Sequence, residues 1–318
     1  VLLISAAALL MVSLWTLAGA GPQAQWQRDW QRGLLIRQSV SGVTALLLAY
    51  GVGVLGLHRR LLKVWYVFPA ALILLAIAAP ASHLAGWGVM VRGTYWWQRS
   101  GGMIAFVLAL VFTLGFVLPK LSRDERGGWS AMAGVLVLVA ALAVAFRNDG
   151  SGLLVGFLVV GLACVPLLHG SRRLAVVGVV GLGLALSVAA TVALRPVLTE
   201  RLFDGPGAYQ ARQALLTIRQ AGWFGASAPL PFLPEWHTSF MFARLCGAAG
   251  AVAAGFAALI FAGFLVVAAW QVVRRCQEGS QEKALAVACA AALAVPGFLH
   301  VGVCLSVLPT FDVHFPML

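Results

Sequence analysis

Apolar segments as long as a bilayer is thick recur along this chain, and they constrain its fold more than any other feature. They run from Val1 to Ala20, Gln38 to Leu57, Val64 to Leu84, Gly101 to Leu118, Trp129 to Phe146, Leu153 to Leu168, Leu174 to Leu194, Gly247 to Trp270 and Ala284 to Leu305. A helix rises about 1.5 Å per residue, so roughly 20 such residues cross the hydrocarbon core. Hydrophobic residues make up 61% of the chain and charged residues 10%, which lies outside the range of soluble domains. The expected fold is therefore all-α, a polytopic transmembrane helical protein with about nine spans. Residues 1–318 are expected to form a single transmembrane helical domain, interrupted by one large loop at about 195–246. Short strands of alternating polarity are missing and the apolar runs are too long for barrel strands, which argues against an outer-membrane barrel.

The formal net charge is +12, from 22 basic and 10 acidic residues. Those basic residues are scattered among the connections and do not gather into one patch, so membrane topology accounts for them and nucleic acid is not an expected partner. The even-numbered loops hold Arg59, Arg60 and Lys63, then Lys120, Arg123 and Arg126, then Arg172 and Arg173, then Arg274, Arg275 and Lys283. The short odd-numbered loops, with Arg28, Arg32, Arg37, Arg92, Arg99 and Arg147, are less dense. Lys and Arg in short loops mark the cytoplasmic side. The N-terminus is thus expected on the cytoplasmic side of the membrane, and the 195–246 loop outside the cytoplasm. Val1 opens directly on an apolar run, so residues before it are expected, and the run is read as a retained helix, not a signal peptide. Cys164, Cys246, Cys276, Cys289 and Cys304 lack metal-ligand spacing and read as small packing residues. No metal site and no cofactor are expected.

Against this background the stretch from Tyr209 to Gly250 is a polar island, holding a Glu, a His and several Arg. Trp26, Trp30, Trp96, Trp97, Trp129, Trp223, Trp236 and Trp270 lie in loops or at span ends, where interfacial anchoring explains most of them. Small-residue stretches such as VVGVVGLGLALS fit close helix packing. No span carries a mid-depth carboxylate, and no internal repeat is visible, so ion-coupled transport is disfavoured.

Within the island, Tyr209, Gln210, Gln213, Ile218, Gly222 and Gly225 follow a YQ..Q....I...G..G pattern. Leu233, Pro234, Glu235, His237, Thr238, Phe240, Phe242 and Ala243 follow after a short spacer, and Gly302, Leu305, Leu308, Pro309 and Pro316 close the chain. Together these resemble the segments of the shape, elongation, division and sporulation (SEDS) proteins, the group containing FtsW, RodA and SpoVE. Fainter likenesses are Asp149 in RNDGSG and the Arg37-Gln38 pair. The resemblance implies a ten-helix membrane polymerase of peptidoglycan, working on lipid II at the outer face beside a class B penicillin-binding protein or another cell-wall synthase. The chain stops at Leu318, where that family's tenth helix would follow.

Departures from the family pattern fall at its chemistry. Ser239 stands where the LPE.HTDF signature has its candidate catalytic Asp, and Gly247 and Ala248 stand where the family has a pair of Glu. The PSE segment before the fourth helix has no counterpart in RSGGMIAF, and the spacer after Gly225 is short. A serine is a poor base unless another group activates it. The catalytic candidates are therefore Glu235, His237 and Ser239: Glu235 shares a face with Ser239 if the segment is helical, and His237 titrates near neutrality. Pro234-Glu235 also fits a plain helix start. The substrate-binding candidates are Arg201, Tyr209, Gln210, Gln213 and Thr238. Among the Arg on the outward side, Arg195, Arg201, Arg212, Arg219 and Arg244, it is Arg201 that matches a family Arg and is placed to hold a diphosphate.

Three functions stay open on sequence grounds. One is a glycosyltransferase of cell shape, elongation or division that consumes a lipid II-like precursor. Another is a catalytically silent relative that binds the lipid-linked precursor and regulates or scaffolds a synthase. The last is a lipid-linked oligosaccharide flippase or an O-antigen ligase-like protein.

Overall fold

The computed structural model describes residues 25–56, 90–91, 94–95, 100–123, 127–145, 151–165, 206–225, 233 and 240–308, with scattered positions between 7 and 14, 60 and 74, and 167 and 182. Helix α1 is Gln25–Leu55. Strands β1, Met90–Val91, and β2, Thr94–Tyr95, follow. Then come α2, Ser100–Ser122, α3, Gly128–Ala145, and α4, Ser151–Cys164. The series ends with α5, Pro206–Ala221, α6, Met241–Arg275, and α7, Gln281–Cys304. The fold is helical, as the apolar runs predict. A two-residue antiparallel ladder, Met90 opposite Tyr95 and Val91 opposite Thr94, is the strand pairing among the described residues.

Six of the expected spans coincide with α1, α2, α3, α4, α6 and α7. The other three, Val1 to Ala20, Val64 to Leu84 and Leu174 to Leu194, lie largely outside the described residues. Helix α1 begins well before Gln38, because the Gln, Arg, Trp and Leu preceding the apolar run are themselves compatible with a helix. Helix α5 was not among the expected spans and forms inside the polar loop. By length and composition α6 and α7 can each cross a membrane, and shorter apolar helices cover Ser39–Val52, Val107–Ser122, Gly128–Val137 and Val155–Cys164. Large apolar side chains on α1, among them Ile36, Val40, Leu47 and Val54, are exposed in the isolated chain. In a soluble protein that pattern would be a defect, whereas in lipid it is the expected outer surface.

The chain divides into two compact units. One gathers Val1–Leu57, Thr199–Ala268 and Pro296–Leu318; the other comprises His58–Leu198 and Ala269–Val295. In the second unit, Leu110, Leu114, Leu118 and Leu121 form a buried stripe along α2 at helical spacing. Met132, Val135 and Val139 of α3 and Val155, Val159 and Ala163 of α4 are buried likewise. Gly115 lets the Leu285 side chain approach: a Cβ there would lie 3.2 Å from the Leu285 Cβ. The buried Thr113 hydroxyl donates to the Ala109 carbonyl at 2.7 Å, so it carries no unmet polar group into the apolar layer. Ser280 caps α7, its Oγ accepting from the Lys283 N–H at 3.2 Å.

Candidate functional site

The first unit holds the motif-bearing segments. Helix α5 is amphipathic by position: Ala214, Thr217 and Ala221 are buried, while Tyr209, Arg212, Leu216 and Arg219 face outward. Gln210, Gln213 and Ile218 lie half-buried beside the buried stripe. The Thr217 hydroxyl donates to the Gln213 carbonyl at 2.8 Å, which satisfies the one polar group on the buried stripe. At the end of α5 the chain turns through Gly222 at φ +60 and Gly225 at φ +103. Left-handed glycines of this kind terminate helices because they carry no Cβ to clash.

That turn docks on a break in α6. Gly250 has φ 88 and ψ 168, a conformation reserved to glycine, so α6 is two helical segments joined at this residue. A break strands the first N–H groups of the second segment. Here the Ala251 N–H donates to the Gly222 carbonyl at 3.0 Å, and the Val252 N–H donates to the Trp223 carbonyl at 3.2 Å. The two backbones meet without side chains between them. A Cβ on Gly250 would collide with the Trp223 carbonyl oxygen and come within 2.5 Å of the Gly225 nitrogen.

The first segment of α6 follows directly on the LPEWHTSF signature. Leu233, Phe240, Phe242, Ala243, Leu245 and Cys246 pack with Ala214 of α5 and with Val303 and Cys304 of α7 in one apolar cluster. His300 of α7 is fully buried, and its Nε2 accepts from the Phe242 N–H at 3.3 Å. Acceptance at Nε2 places the imidazole proton on Nδ1. The ring thus serves one of the donors that the start of a helix leaves without an intrahelical partner. Arg244 lies half-buried on the same turns.

Past α7 the chain folds back. The Val307 and Leu308 N–H groups both donate to the Gly302 carbonyl, at 3.0 and 3.1 Å, and the Leu308 side chain occupies the space a Cβ on Gly302 would need. Ser306 then donates its hydroxyl to the Ala211 carbonyl of α5 at 3.4 Å. The Gly302, Leu305 and Leu308 segment is in this way tied to the helix that carries Tyr209, Gln210 and Gln213.

Of the residues singled out in the sequence, Tyr209 is exposed and Gln210 and Gln213 are half-buried on α5. Arg201, Glu235, His237, Thr238 and Ser239 lie outside the described residues; Leu233 and Phe240, which flank the last four, are anchored in the cluster. Cys164, Cys246 and Cys304 are buried free thiols. Among the described residues no group of three His, Cys, Asp or Glu could hold a metal ion. His300 escaped the sequence reading. The available signal was an ionisable side chain within an otherwise apolar helix, which marks a functional or structural polar contact.

The model of the FtsW/RodA/SpoVE cell cycle proteins matches residues 2–318. The chain belongs to this family. It is similar to the probable peptidoglycan glycosyltransferase FtsW of Saccharophagus degradans, with 28% identity over 286 residues, covering 81% of this chain and 71% of that protein. The FtsW of Acinetobacter baylyi is 25% identical over 246 residues, covering 70% of this chain and 59% of the relative. This chain thus spans well under two thirds of that relative's length. Among solved structures it is similar to a chain of a peptidoglycan synthase complex described for its coordination of polymerization and crosslinking, with a TM-score of 0.75, 24% identity, and 99% and 90% of the two chains covered. The rod shape determining protein RodA of Thermus thermophilus matches with a TM-score of 0.65 at 19% identity, covering 99% of this chain and 88% of RodA. These likenesses show a shared fold, and membership of the FtsW/RodA/SpoVE family makes the chain an integral membrane protein.

Proposed function

We propose that this FtsW/RodA/SpoVE family member acts in bacterial cell-wall assembly as a glycosyltransferase on a lipid-linked sugar diphosphate, from a single transmembrane domain of the cytoplasmic membrane. The observation that carries the reading is the convergence, in one unit, of the three motif-bearing segments: α5, the start of α6 and the end of α7. A family signature scattered over unrelated surfaces would support membership alone. Its assembly around one apolar cluster supports retention of the site that the signature serves. In this reading the 195–246 loop faces out of the cytoplasm. Arg201 binds the diphosphate by paired charge-assisted hydrogen bonds, and Tyr209, Gln210, Gln213 and Thr238 bind the sugar moiety. Because Ser239 replaces the usual carboxylate, the proton of the attacking hydroxyl passes to Glu235 or His237. The partner is a class B penicillin-binding protein, consistent with the synthase complex whose chain shares the fold.

The experiment is polymerisation of labelled lipid II by the purified protein with its partner. Glycan chains are expected from the wild type, and their loss from Glu235→Gln or His237→Ala; activity that survives both changes removes these residues from the mechanism. Ser239 itself favours a second reading, a relative that binds the precursor without turning it over. That reading predicts precursor binding but no wild-type polymer, and polymer gained on Ser239→Asp.

A further inference from the structure

We propose that Trp223 and Phe224, with Arg212 and Arg219 on the outer face of α5, form a fixed docking face for an anionic phospholipid surface at the membrane boundary where the apolar run of α6 begins. Depth follows from α6. Between the break at Gly250 and Trp270 the helix carries no charged residue, and these 20 or so residues at about 1.5 Å each span roughly the 30 Å of a hydrocarbon core. Gly250 therefore lies at one end of this apolar run, and the hydrogen bonds from Ala251 and Val252 hold the Gly222–Gly225 turn there.

The turn's side chains face outward. Trp223 is 73% and Phe224 87% exposed, although the backbone beneath them is held at Gly250 from both sides. The backbone of the turn is fixed against α6 while both rings stay exposed. Arg212, Leu216 and Arg219 continue the outward face along α5 at helical spacing, ahead of Trp223. Aromatic rings beside arginines on the outer face of an amphipathic helix fit the acyl and headgroup boundary, with guanidinium groups matched to phosphodiester charge. The charge complementarity selects anionic lipid over a neutral one.

The test uses the full chain with p-benzoylphenylalanine placed at position 224, reconstituted in vesicles of phosphatidylcholine alone or with phosphatidylglycerol, and illuminated. Lipid adducts are expected at 224, enriched severalfold in phosphatidylglycerol. That enrichment is lost in the Arg212→Gln/Arg219→Gln double variant. The same photoprobe at Leu259, exposed on the apolar part of α6, gives adducts without lipid preference. Position 223 serves as a second probe site if 224 does not tolerate the substitution. Absence of lipid adducts at both sites, equal yields in the two vesicle types, or adducts to a polypeptide in native membranes would each overturn the proposal.

Discussion

Replacing Gly250 with alanine sets a methyl group where the turn after α5 lies against the break in α6. The conformation at φ 88 and ψ 168 costs an L-residue about 1–3 kcal/mol by itself. The atoms in the way are the Trp223 carbonyl oxygen, the Gly225 nitrogen at 2.5 Å and the Phe224 Cα at 2.6 Å. All are backbone, so none can rotate aside. If the turn retreats, Ala251 and Val252 lose their acceptors, at about 1 kcal/mol each. The total is about 3–5 kcal/mol. The assay is thermal unfolding of the purified protein in detergent, followed by tryptophan fluorescence. A graded series tests the reasoning. Gly225→Ala, at φ +103 and 2.9 Å from the Ala248 carbonyl oxygen, ranks next. Gly222→Ala, at φ +60 with no atom within 4 Å, carries only the left-handed strain of about 1–2 kcal/mol. Gly255→Ala, in regular helix with open space around it, stabilises by about 0.5–1 kcal/mol. Should Gly250→Ala melt with the wild type, or should Gly255→Ala prove the more harmful change, the turn does not hold the break.

His300→Ala removes the acceptor for the Phe242 N–H in a fully buried site and is expected to destabilise by about 1–3 kcal/mol. His300→Gln, which restores a side-chain acceptor, should recover part of that loss in the same melt; equal loss from both changes would point to ring packing instead. Cys276 follows Arg274 and Arg275 at the end of α6 and is half-buried, whereas Cys164, Cys246 and Cys304 are buried. A membrane-impermeant maleimide should therefore spare Cys276 in intact spheroplasts and label it after permeabilisation. Labelling of intact cells at Cys276 would invert the topology derived from the Lys and Arg distribution.

Much of the architecture was legible because crossing a bilayer is a local property: some 20 apolar residues announce a span without reference to any other part of the chain. The run expected from Ala284 to Leu305 appears as Gln281–Cys304, and the α2 and α3 runs likewise appear within a few residues of their expected limits. The apolar run expected to open at Gly247 begins close to the break at Gly250, where the second segment of α6 starts. Helix α5 was less legible. Its mean character is polar and its buried stripe is Ala214, Thr217 and Ala221, small residues that carry little hydrophobic signal. They are buried because they allow close approach, not because they drive partition.

By itself the sequence determined the family, the helical class and the motif positions, since each is written in contiguous or regularly spaced residues. It also placed Ser239 within the LPEWHTSF stretch. Only the tertiary structure decided that Gly250 is a break and not a packing glycine, that its stranded N–H groups are met by Gly222 and Trp223, and that His300 reaches Phe242 across 58 residues. These depend on groups distant along the chain, and a glycine or a histidine looks the same in sequence whether or not a partner arrives. The physical reason is that buried backbone donors must find acceptors wherever the fold brings them, a condition that no local pattern encodes.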